Sequence, residues 1–234
     1  MQRAVGVTFH IRPRTKIMYR LLLLPLLLTS CALELNVDLG HESAEDISSL
    51  DNWRGYKIDS VPEQWVIDDG AIHLTGGGAG DLITREQYES FDLTMEWKIS
   101  PKGNSGVMYH VSEGDGPTYF TGPEMQVLDN AVAGGDLLHS AGADYALHAP
   151  EADNTKPVGE WNESRILVDG AQVTYWLNGV EQCTYELWSE DWTARVAASK
   201  FKQWPGFGMN KTGHIALQDH GNPVWYRNIK IRTL

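Results

Sequence analysis

Gly213-His-Ile-Ala-Leu-Gln-Asp-His-Gly-Asn-Pro-Val-Trp-Tyr-Arg-Asn-Ile-Lys-Ile-Arg-Thr-Leu234 is the stretch in which the fold of this chain is easiest to see. In an extended segment alternate side chains point to opposite faces, so Ile215 and Leu217 share one face and Gln218 and His220 share the other. A Gly-Asn-Pro cluster then breaks the segment, and a second β-rich run follows. The stretch predicts strand, turn and strand, and the first strand has an apolar core face. Its polar face carries an amide and an imidazole, which are either site residues or plain surface groups.

The same pattern of short β-rich runs and turn residues continues from Trp53 onward. Phe91 to Ile99 alternates strictly between apolar and polar side chains, which predicts a strand that covers a core on one face. Asp69-Gly70, Asp169-Gly170 and Asn178-Gly179 are hairpin signals between such runs. No helix of more than two turns is predicted. The sequence therefore predicts an all-β fold, a sandwich of two antiparallel sheets.

The first thirty residues have the pattern of an export signal. Basic residues precede the apolar run 21–28, which is too short to span a bilayer as a stable anchor, and small residues lead to Cys31. We predict that residues 1–30 are a cleaved signal, with either Met1 or Met18 as the true start. The alternative is an uncleaved hydrophobic helix followed by a buried cysteine.

Leu28-Thr-Ser-Cys31 resembles the lipobox of bacterial lipoproteins. The resemblance implies that Cys31 is lipidated and becomes the new N-terminus. It further implies an exported lipoprotein, held at the membrane by its lipid anchor, on the periplasmic face of the outer membrane or on the cell surface. With Cys31 acylated, Cys183 would have no partner for an internal disulfide.

The charge of the mature chain limits its partners. Without residues 1–30 it has 14 basic and 31 acidic side chains, a net charge near −17. Such a surface repels phosphate backbones, so no nucleic-acid partner is expected. Residues 31–47 are acidic and loosely patterned, which predicts a tether to one domain over residues 48–234. No strand, Gly-rich turn and helix follow one another, so no organic cofactor is expected.

Three of the predicted strands carry polar side chains on one face. If the three faces line one sheet, they form a surface of amides, imidazoles and a carboxylate, groups that can make paired hydrogen bonds to the hydroxyls of a sugar. These candidate residues are Asn104, His110, Glu124, Gln126, Gln218 and His220. Trp161 and Trp204 are candidates for stacking on sugar rings, although a tryptophan more often belongs to the core.

Several motifs, taken in order, resemble the 3-keto-disaccharide hydrolase family. They are Asn104-Ser-Gly, Gly122-Pro-Glu-Met-Gln-Val-Leu-Asp129, Lys156-Pro-x-Gly-Glu-Trp-Asn162, Leu177-Asn-Gly179, Lys200-Phe-Lys-Gln-Trp-Pro-Gly-Phe-Gly208 and the Gly213 stretch quoted above. The resemblance covers roughly residues 48–234. It implies a concanavalin/glucanase-like jelly roll that acts on glycosides already oxidised at the sugar C3. The family usually carries an arginine where this sequence has His110.

The implied reaction needs one base, one group that stabilises an enolate and one acid. Removal of the C2 proton beside the C3 ketone gives an enolate that expels the aglycone, and water then adds back. Glu124 or His220 is the candidate base, and the other of the two, or Asp129, is the acid. Lys156, Lys200 or a bound divalent metal ion would hold the enolate. The oxidised substrate implies a separate sugar 3-dehydrogenase as pathway partner.

Two other functions fit the same residues. Glu124-x-Gln126-x-x-Asp129 has the outline of the catalytic strand of laminarinase-type glycosidases, in which two carboxylates lie about 5–5.5 Å apart. A non-catalytic carbohydrate-binding module is the second alternative, because amides and aromatic rings suffice for binding.

Overall fold

The computed structural model of this chain describes residues 43–234, and all structural statements concern these residues. The predicted signal 1–30, Cys31 and most of the predicted tether lie outside them. Within the described part, no helix is long and apolar enough to cross a membrane.

The described chain is built mainly of strands. The strands are β1 Glu45–Asp46, β2 Trp53–Gly55, β3 Trp65–Asp68, β4 Ala71–Leu74, β5 Leu82–Thr84, β6 Phe91–Ile99, β7 Asn104–Val111, β8 Glu124–Leu128, β9 Asn162–Asp169, β10 Gln172–Leu177, β11 Val180–Glu186, β12 His214–Leu217 and β13 Val224–Thr233. The helix α1 spans Glu190–Ala198, and short 3-10 helices span Leu50–Asn52, Thr118–Phe120, Leu137–His139 and Lys200–Gln203.

The strands form two antiparallel sheets, as predicted. The eight-stranded sheet has the order β11-β10-β9-β6-β13-β4-β3, and β1 pairs with β13 outside this path. The five-stranded sheet has the order β2-β5-β12-β7-β8. Apolar side chains of both sheets form one core between them. The all-β sandwich of jelly-roll type is therefore confirmed.

The strand β6 shows how the sequence positions the core. Its buried and partly exposed residues alternate without exception over Phe91–Ile99, with the apolar set turned inward. The hairpin signals at Asp69-Gly70 and Asn178-Gly179 are confirmed, because both residues of each pair have positive φ and join antiparallel neighbours. Asp169-Gly170 likewise joins β9 to β10.

The prediction that no helix exceeds two turns was wrong. The helix α1 has nine residues, begins at the capping hydroxyl of Ser189 and has Glu190 and Asp191 in its first turn. These are ordinary helix-start signals, since a hydroxyl cap and early acidic residues stabilise a helix N-terminus. The helix was missed because Trp192 is its one buried residue, which leaves a weak apolar periodicity.

The fold also begins earlier than the predicted boundary at residue 48. Glu45 and Asp46 pair with Ile231 and Lys230 of β13, and Ile47 is buried. The indole Nε1 of Trp53 donates to the carbonyl of Ile47 at 2.7 Å. The last residues assigned to the tether 31–47 therefore belong to the domain.

The two strands of the Gly213–Leu234 stretch lie in different sheets. The strand β12 is central in the five-stranded sheet, whereas β13 is central in the eight-stranded sheet. The linking segment therefore crosses from one sheet to the other, and it carries Gln218 and His220.

A bulge interrupts the alternation near the end of β7. Met108 pairs with Ala216 and Val111 pairs with His214, so two residues of β7 stand opposite one residue of β12. His110 within this bulge has φ +52, the left-handed conformation. The extra residue places Val111 on the face of Met108 and Ala216, and it removes His110 from that face.

Candidate active site

One cavity of about 270 Å³ gathers most of the polar residues predicted for the site. Its wall contains a carboxylate, an ammonium, an imidazole, three amides and three aromatic rings. They are Asn104, Tyr119, Glu124, Gln126, Tyr145, Lys200, Trp204, Gln218 and His220.

The strands β7 and β8 supply the floor of this cavity. Met125 and Val127 of β8 enter the core. Glu124 and Gln126 alternate with them along the strand, so their side chains point to the opposite face, toward the cavity. Gly106 pairs with Gln126 in the register of β7 and β8. A Cβ at Gly106 would overlap the carboxylate of Glu124, which therefore lies directly over this glycine.

The free edge of β8 is covered by the loop that follows it. The N–H of Gln126 donates to the carbonyl of Ala143, and the N–H of Tyr145 donates to that of Glu124. These bonds bring the Tyr145 ring to the cavity and bury Glu124, whose exposed fraction is 7%. The loop thus converts an edge strand into the floor of an enclosed site.

The segment after α1 supplies Lys200 and Trp204. The hydroxyl of Ser199 accepts from the N–H of Phe201 and starts a short 3-10 helix, and the Phe201 ring is buried in the core. Lys200 then extends over the Tyr145 ring, with Nζ 4.4 Å from the ring centroid. The indole of Trp204 forms a side wall.

Asp81 joins two of the segments that line the cavity. Its carboxylate accepts a short hydrogen bond from the Thr118 hydroxyl and a 2.8 Å bond from the N–H of Asp219. Thr118 precedes Tyr119, and Asp219 lies between Gln218 and His220. Burial raises the pKa of Asp81, although both hydrogen bonds oppose the shift. Asp81 therefore holds two walls of the cavity at fixed positions.

The electrostatics of the site centre on Glu124. Burial raises its pKa to about 8, with Lys200 opposing the shift and Asp81 and Asp144 adding to it. Desolvation lowers the pKa of Lys200, and the neighbouring Glu124 partly offsets this. Near neutral pH the Glu124 side chain accordingly holds its proton, which is the state of a general acid.

Two buried amide oxygens in the cavity have no protein partner. They are Oδ1 of Asn104 and Oε1 of Gln126. Buried polar atoms in folded proteins nearly always have a hydrogen-bond partner in protein or ordered water, so these two acceptors are open to water or to a ligand that donates. Sugar hydroxyls are donors of this kind.

Four predicted site residues lie elsewhere. Asp129 and Lys156 line a separate cavity of about 510 Å³. The Asp129 carboxylate accepts the N–H groups of Lys102 and Ala131, and Lys156 Nζ donates to the carbonyl of Trp161. Both are structural contacts of loops, so neither residue joins Glu124.

Trp161 and His110 are also outside the site. The Trp161 ring lies under the guanidinium of Arg227, 3.9 Å from the ring centroid. His110 is 1% exposed, its Nε2 contacts the carbonyl of Glu89 at 2.8 Å, and its ring packs edge-on against Phe91. The prediction that His110 faces the substrate was wrong because the bulge in β7 breaks the assumed alternation.

Three contributors to the site were not predicted from the sequence: Tyr119, Tyr145 and Asp81. Tyr119 lies in the short 3-10 helix Thr118–Phe120 and Tyr145 lies in a loop, and neither is long enough or regular enough for periodicity to indicate the direction of a side chain. Asp81 carried a weak signal, since it is a polar residue directly before the buried strand β5. Its role depends on contacts with residues 118 and 219, which no local pattern reveals.

The described residues offer no ready metal site. Within 43–234, no group of three or more His, Cys, Asp and Glu side chains is placed to hold a metal ion.

The fold and the cavity together define a class of protein. Jelly-roll sandwiches include lectin domains, and the unpartnered acceptors suit sugar hydroxyls. A buried carboxyl that holds a proton adds the chemistry of an enzyme. The class is that of carbohydrate-active proteins.

Comparison with known proteins gives the family. Residues 40–232 match the family described as 3-keto-alpha-glucoside-1,2-lyase-like domain. A curated protein of Bacteroides thetaiotaomicron, named 3-keto-disaccharide hydrolase, is 38% identical over 237 residues, which cover 87% of this chain and 82% of the relative. The chain belongs to this family, and the match supports a glycoside-cleaving enzyme.

Solved structures agree with the fold. A crystal structure of a candidate glycosyl hydrolase from Parabacteroides distasonis has a TM-score of 0.73 and 34% identity, and the match covers 80% of this chain and 90% of that one. A Bacillus subtilis protein with a galectin-like fold has a TM-score of 0.53 at 12% identity, with 82% and 95% of the two chains covered. The second likeness concerns the fold alone.

Proposed function

We propose that this protein cleaves the glycosidic bond of 3-keto-glycosides by elimination and hydration. The observation that carries the proposal is the placement of Glu124, Lys200 and His220 around one cavity that also holds two unpartnered amide oxygens. The name of the Bacteroides relative supports a keto-sugar substrate. A ketone at C3 makes the C2 proton acidic enough for a side-chain base to remove it at useful rates.

Glu124 serves as the general acid in this scheme. Its pKa of about 8, raised by burial, keeps it protonated near neutral pH. It donates this proton to the glycosidic oxygen as the C1–O bond breaks. This assignment resolves the choice between Glu124 and His220 in favour of His220 as the base.

His220 accepts the C2 proton. It lies at the exposed end of the segment that crosses between the sheets, and its ring reaches the cavity wall. An imidazole is suited to proton transfer near neutral pH. The electrons of the C2–H bond form the C1=C2 double bond as the leaving group departs.

Lys200 stabilises the developing negative charge on the C3 oxygen. Its ammonium lies beside Glu124 and Tyr145 in a partly desolvated position, where a positive charge acts more strongly than in water. The amides of Asn104, Gln126 and Gln218 would fix the remaining hydroxyls.

Hydration completes the reaction and restores the site. The Glu124 carboxylate takes a proton from water as the water oxygen adds to C1. The exposed imidazolium of His220 exchanges its protons with solvent and then delivers one to C2. The net result is hydrolysis, and each group regains its starting protonation state.

The two alternative functions receive less support. A retaining glycosidase needs a second carboxylate about 5–5.5 Å from the first, whereas Asp129 lines another cavity and is held by backbone amides. A binding module has no need of a buried carboxyl that holds a proton at neutral pH.

The test is turnover of a 3-keto-glucoside beside its unoxidised parent in deuterated water, with and without a chelator. We expect cleavage of the keto substrate alone, with solvent deuterium at C2 of the product. Cleavage of the parent sugar, or a product without deuterium at C2, would overturn the proposal. Loss of activity with chelator would add a metal ion to the site.

The proposal also includes the source of the substrate and the location of the enzyme. A separate sugar 3-dehydrogenase must supply the oxidised substrate, since the reaction proposed here begins from the ketone. The lipid anchor at Cys31 would hold the enzyme at the outer membrane or cell surface.

A further inference from the structure

A second cavity adjoins the candidate active site and shares the Trp204 indole with it. This cavity of about 400 Å³ is called the side groove here. It is lined by Tyr56, Ser112, Gly114, Asp115, Gly116, Pro117, Phe120, Thr121, Trp204, Pro205 and Gly206. The Trp204 ring stacks on Phe120 at 4.4 Å and meets Tyr119 edge-on at 5.3 Å. Because Tyr119 lines the active site and Phe120 lines the side groove, these rings form the partition between them.

The active-site cavity itself is small for a glycoside with a bulky leaving group. Cavities that enclose a small organic ligand usually measure about 300–1,000 Å³, and this one measures about 270 Å³. It has room for the sugar ring that reacts. The leaving group must extend past the rim, and the side groove is a neighbouring space because Trp204 lines both cavities.

The lining of the side groove is apolar and its few polar groups are already bonded. The Tyr56 hydroxyl contacts the carbonyls of Ser112 and Gly116 at 3.3 and 3.0 Å. The Thr121 hydroxyl accepts from the N–H of Ser112, and the Ser112 hydroxyl accepts from the Asn210 amide. Apart from Asp115, little remains for the hydroxyls of a second sugar.

The shape of the groove depends on glycines. A Cβ at Gly116 would overlap the Phe120 ring, so the glycine lets this ring lie flat against the backbone. At Gly206, a Cβ would meet its nearest neighbour, Thr121 Cγ2, at 3.6 Å, which is ordinary contact. A side chain added at Gly206 would therefore enter the groove without displacing the chain.

We propose that the side groove binds an aromatic aglycone, so that the preferred substrates are 3-keto-glycosides of aromatic or aryl-alkyl alcohols. This proposal rests on the proposed function and names the leaving group for the same site. A flat apolar ring between Trp204, Pro205 and Pro117 would bind favourably because its apolar surface is removed from water. Such a ring needs no hydrogen bonds, and the polar groups of the lining have few left to offer.

The experiment compares benzyl and methyl 3-keto-glucosides. Both release primary alcohols of similar leaving ability, so a difference in kcat/KM reports on binding of the ring. We expect the benzyl substrate to be favoured about tenfold or more, the range for an added apolar group in a pocket. The variant Gly206→Leu, which fills the groove, should collapse this ratio toward one. Gly76→Leu is the matched control, since a Cβ at Gly76 has no neighbour within 4 Å and lies outside the groove, and it should keep the ratio.

The outcomes separate the two proposals. Turnover of the methyl substrate with no benzyl preference would overturn the groove proposal and leave the proposed function standing. A benzyl preference that Gly206→Leu leaves intact, in a variant with an unchanged unfolding temperature, would also overturn it. If neither keto substrate is cleaved, the proposed function fails and the groove proposal fails with it. If Gly206→Leu does not fold, the ratio of kcat/KM for the benzyl and methyl substrates in the unaltered enzyme decides whether the groove proposal holds.

Discussion

The carboxylate of Glu124 lies directly over the Cα of Gly106 on the neighbouring strand. The register of β7 and β8 sets Glu124 opposite Met108, so the side chain leans across the sheet by one pleat to reach this position. Glycine is the one residue type at position 106 that leaves room for the Glu124 carboxylate. The place of the proposed acid is therefore fixed by the absence of a side chain on another strand.

Gly106→Ala should lower turnover without removing any reacting group. The new methyl group would displace the Glu124 carboxyl, and misplacement by about 1 Å can cost on the order of 10²-fold in rate. Steady-state kinetics on a 3-keto-glucoside checks this, with Gly76→Ala as the control because its added methyl group meets open space. Equal rates for both variants would mean that the position of Glu124 is not critical.

Lys200→Met should be far more damaging than Lys156→Met. Lys200 lines the site beside Glu124, whereas Lys156 contacts the Trp161 carbonyl in a separate cavity. Loss of an oxyanion-stabilising group usually costs about 10²–10³ in kcat. Lys200 also lowers the pKa of Glu124, so its removal should shift the basic limb of the pH–rate profile upward. A large loss in Lys156→Met instead would restore that residue to the catalytic set.

Glu124→Gln should lower turnover and yet stabilise the protein at alkaline pH. The folded-state pKa of Glu124 is raised to about 8, so between its ordinary value and pH 8 the folded chain holds a proton that the unfolded chain releases. Unfolding free energy then falls as pH rises through this window, by at most about 1.4 kcal/mol per pH unit. The glutamine side chain does not titrate, so the unfolding free energy of the variant does not fall in this way.

Urea unfolding at pH 5 and pH 8 measures the difference. The stability of Glu124→Gln relative to the unaltered protein should rise between the two pH values. Glu163→Gln, at an exposed position of β9, is the matched control and should show no such rise. Parallel behaviour of the two variants would contradict the raised pKa. Turnover of Glu124→Gln should fall by about 10²-fold or more, as for other lost acid–base groups.

Asp144→Asn should move the basic limb of the pH–rate profile to lower pH. Asp144 is fully buried, its Oδ2 contacts His148 Nδ1 at 2.7 Å, and its charge helps raise the pKa of Glu124. Without that charge, Glu124 would lose its proton at lower pH and the acid form would decline earlier. Asp136→Asn, an exposed carboxylate of the same loop, should leave the profile in place. A profile unmoved in Asp144→Asn would show that the charge of Asp144 does not contribute to the raised pKa of Glu124.

Cys31→Ser should prevent membrane attachment. The Leu28-Thr-Ser-Cys31 pattern predicts lipidation at this thiol, which lies outside the described residues. The unaltered protein should partition into detergent, and the serine variant should remain unprocessed or soluble. Cys183→Ser serves as the control, because this partly buried cysteine belongs to β11. Unchanged partitioning of Cys31→Ser would contradict the lipoprotein prediction.

Periodicity alone predicted the parts of this molecule that regular strands determine. The alternation of Phe91–Ile99 gave the core face of β6, and the same rule placed Glu124 and Gln126 on one face of β8. Trp204 was a candidate because an indole can stack on a sugar ring, and Lys200 came from the resemblance of its motif to a family. The structure brings all four of these site residues into one cavity.

The remaining site residues could not be predicted, because their positions depend on contacts between distant parts of the chain. Asp129 and Lys156 sit in matching motifs, but hydrogen bonds to Lys102, Ala131 and Trp161 hold them away from Glu124. Tyr145 reaches the site because its loop bonds along the free edge of β8. Such placements depend on pairings between distant parts of the chain, which local sequence patterns do not encode.

The bulge in β7 has a consequence for how relatives of this chain are compared. Position 110 lies in the bulge of β7, where its ring packs on Phe91 and contacts the Glu89 carbonyl, rather than in the cavity. A change at this position between relatives, such as histidine for arginine, would then reflect how the side chain packs against β6 and the segment before it. Differences at residues 119, 145 and 206 are the ones to examine when substrate choice diverges, because these three line the two adjoining cavities.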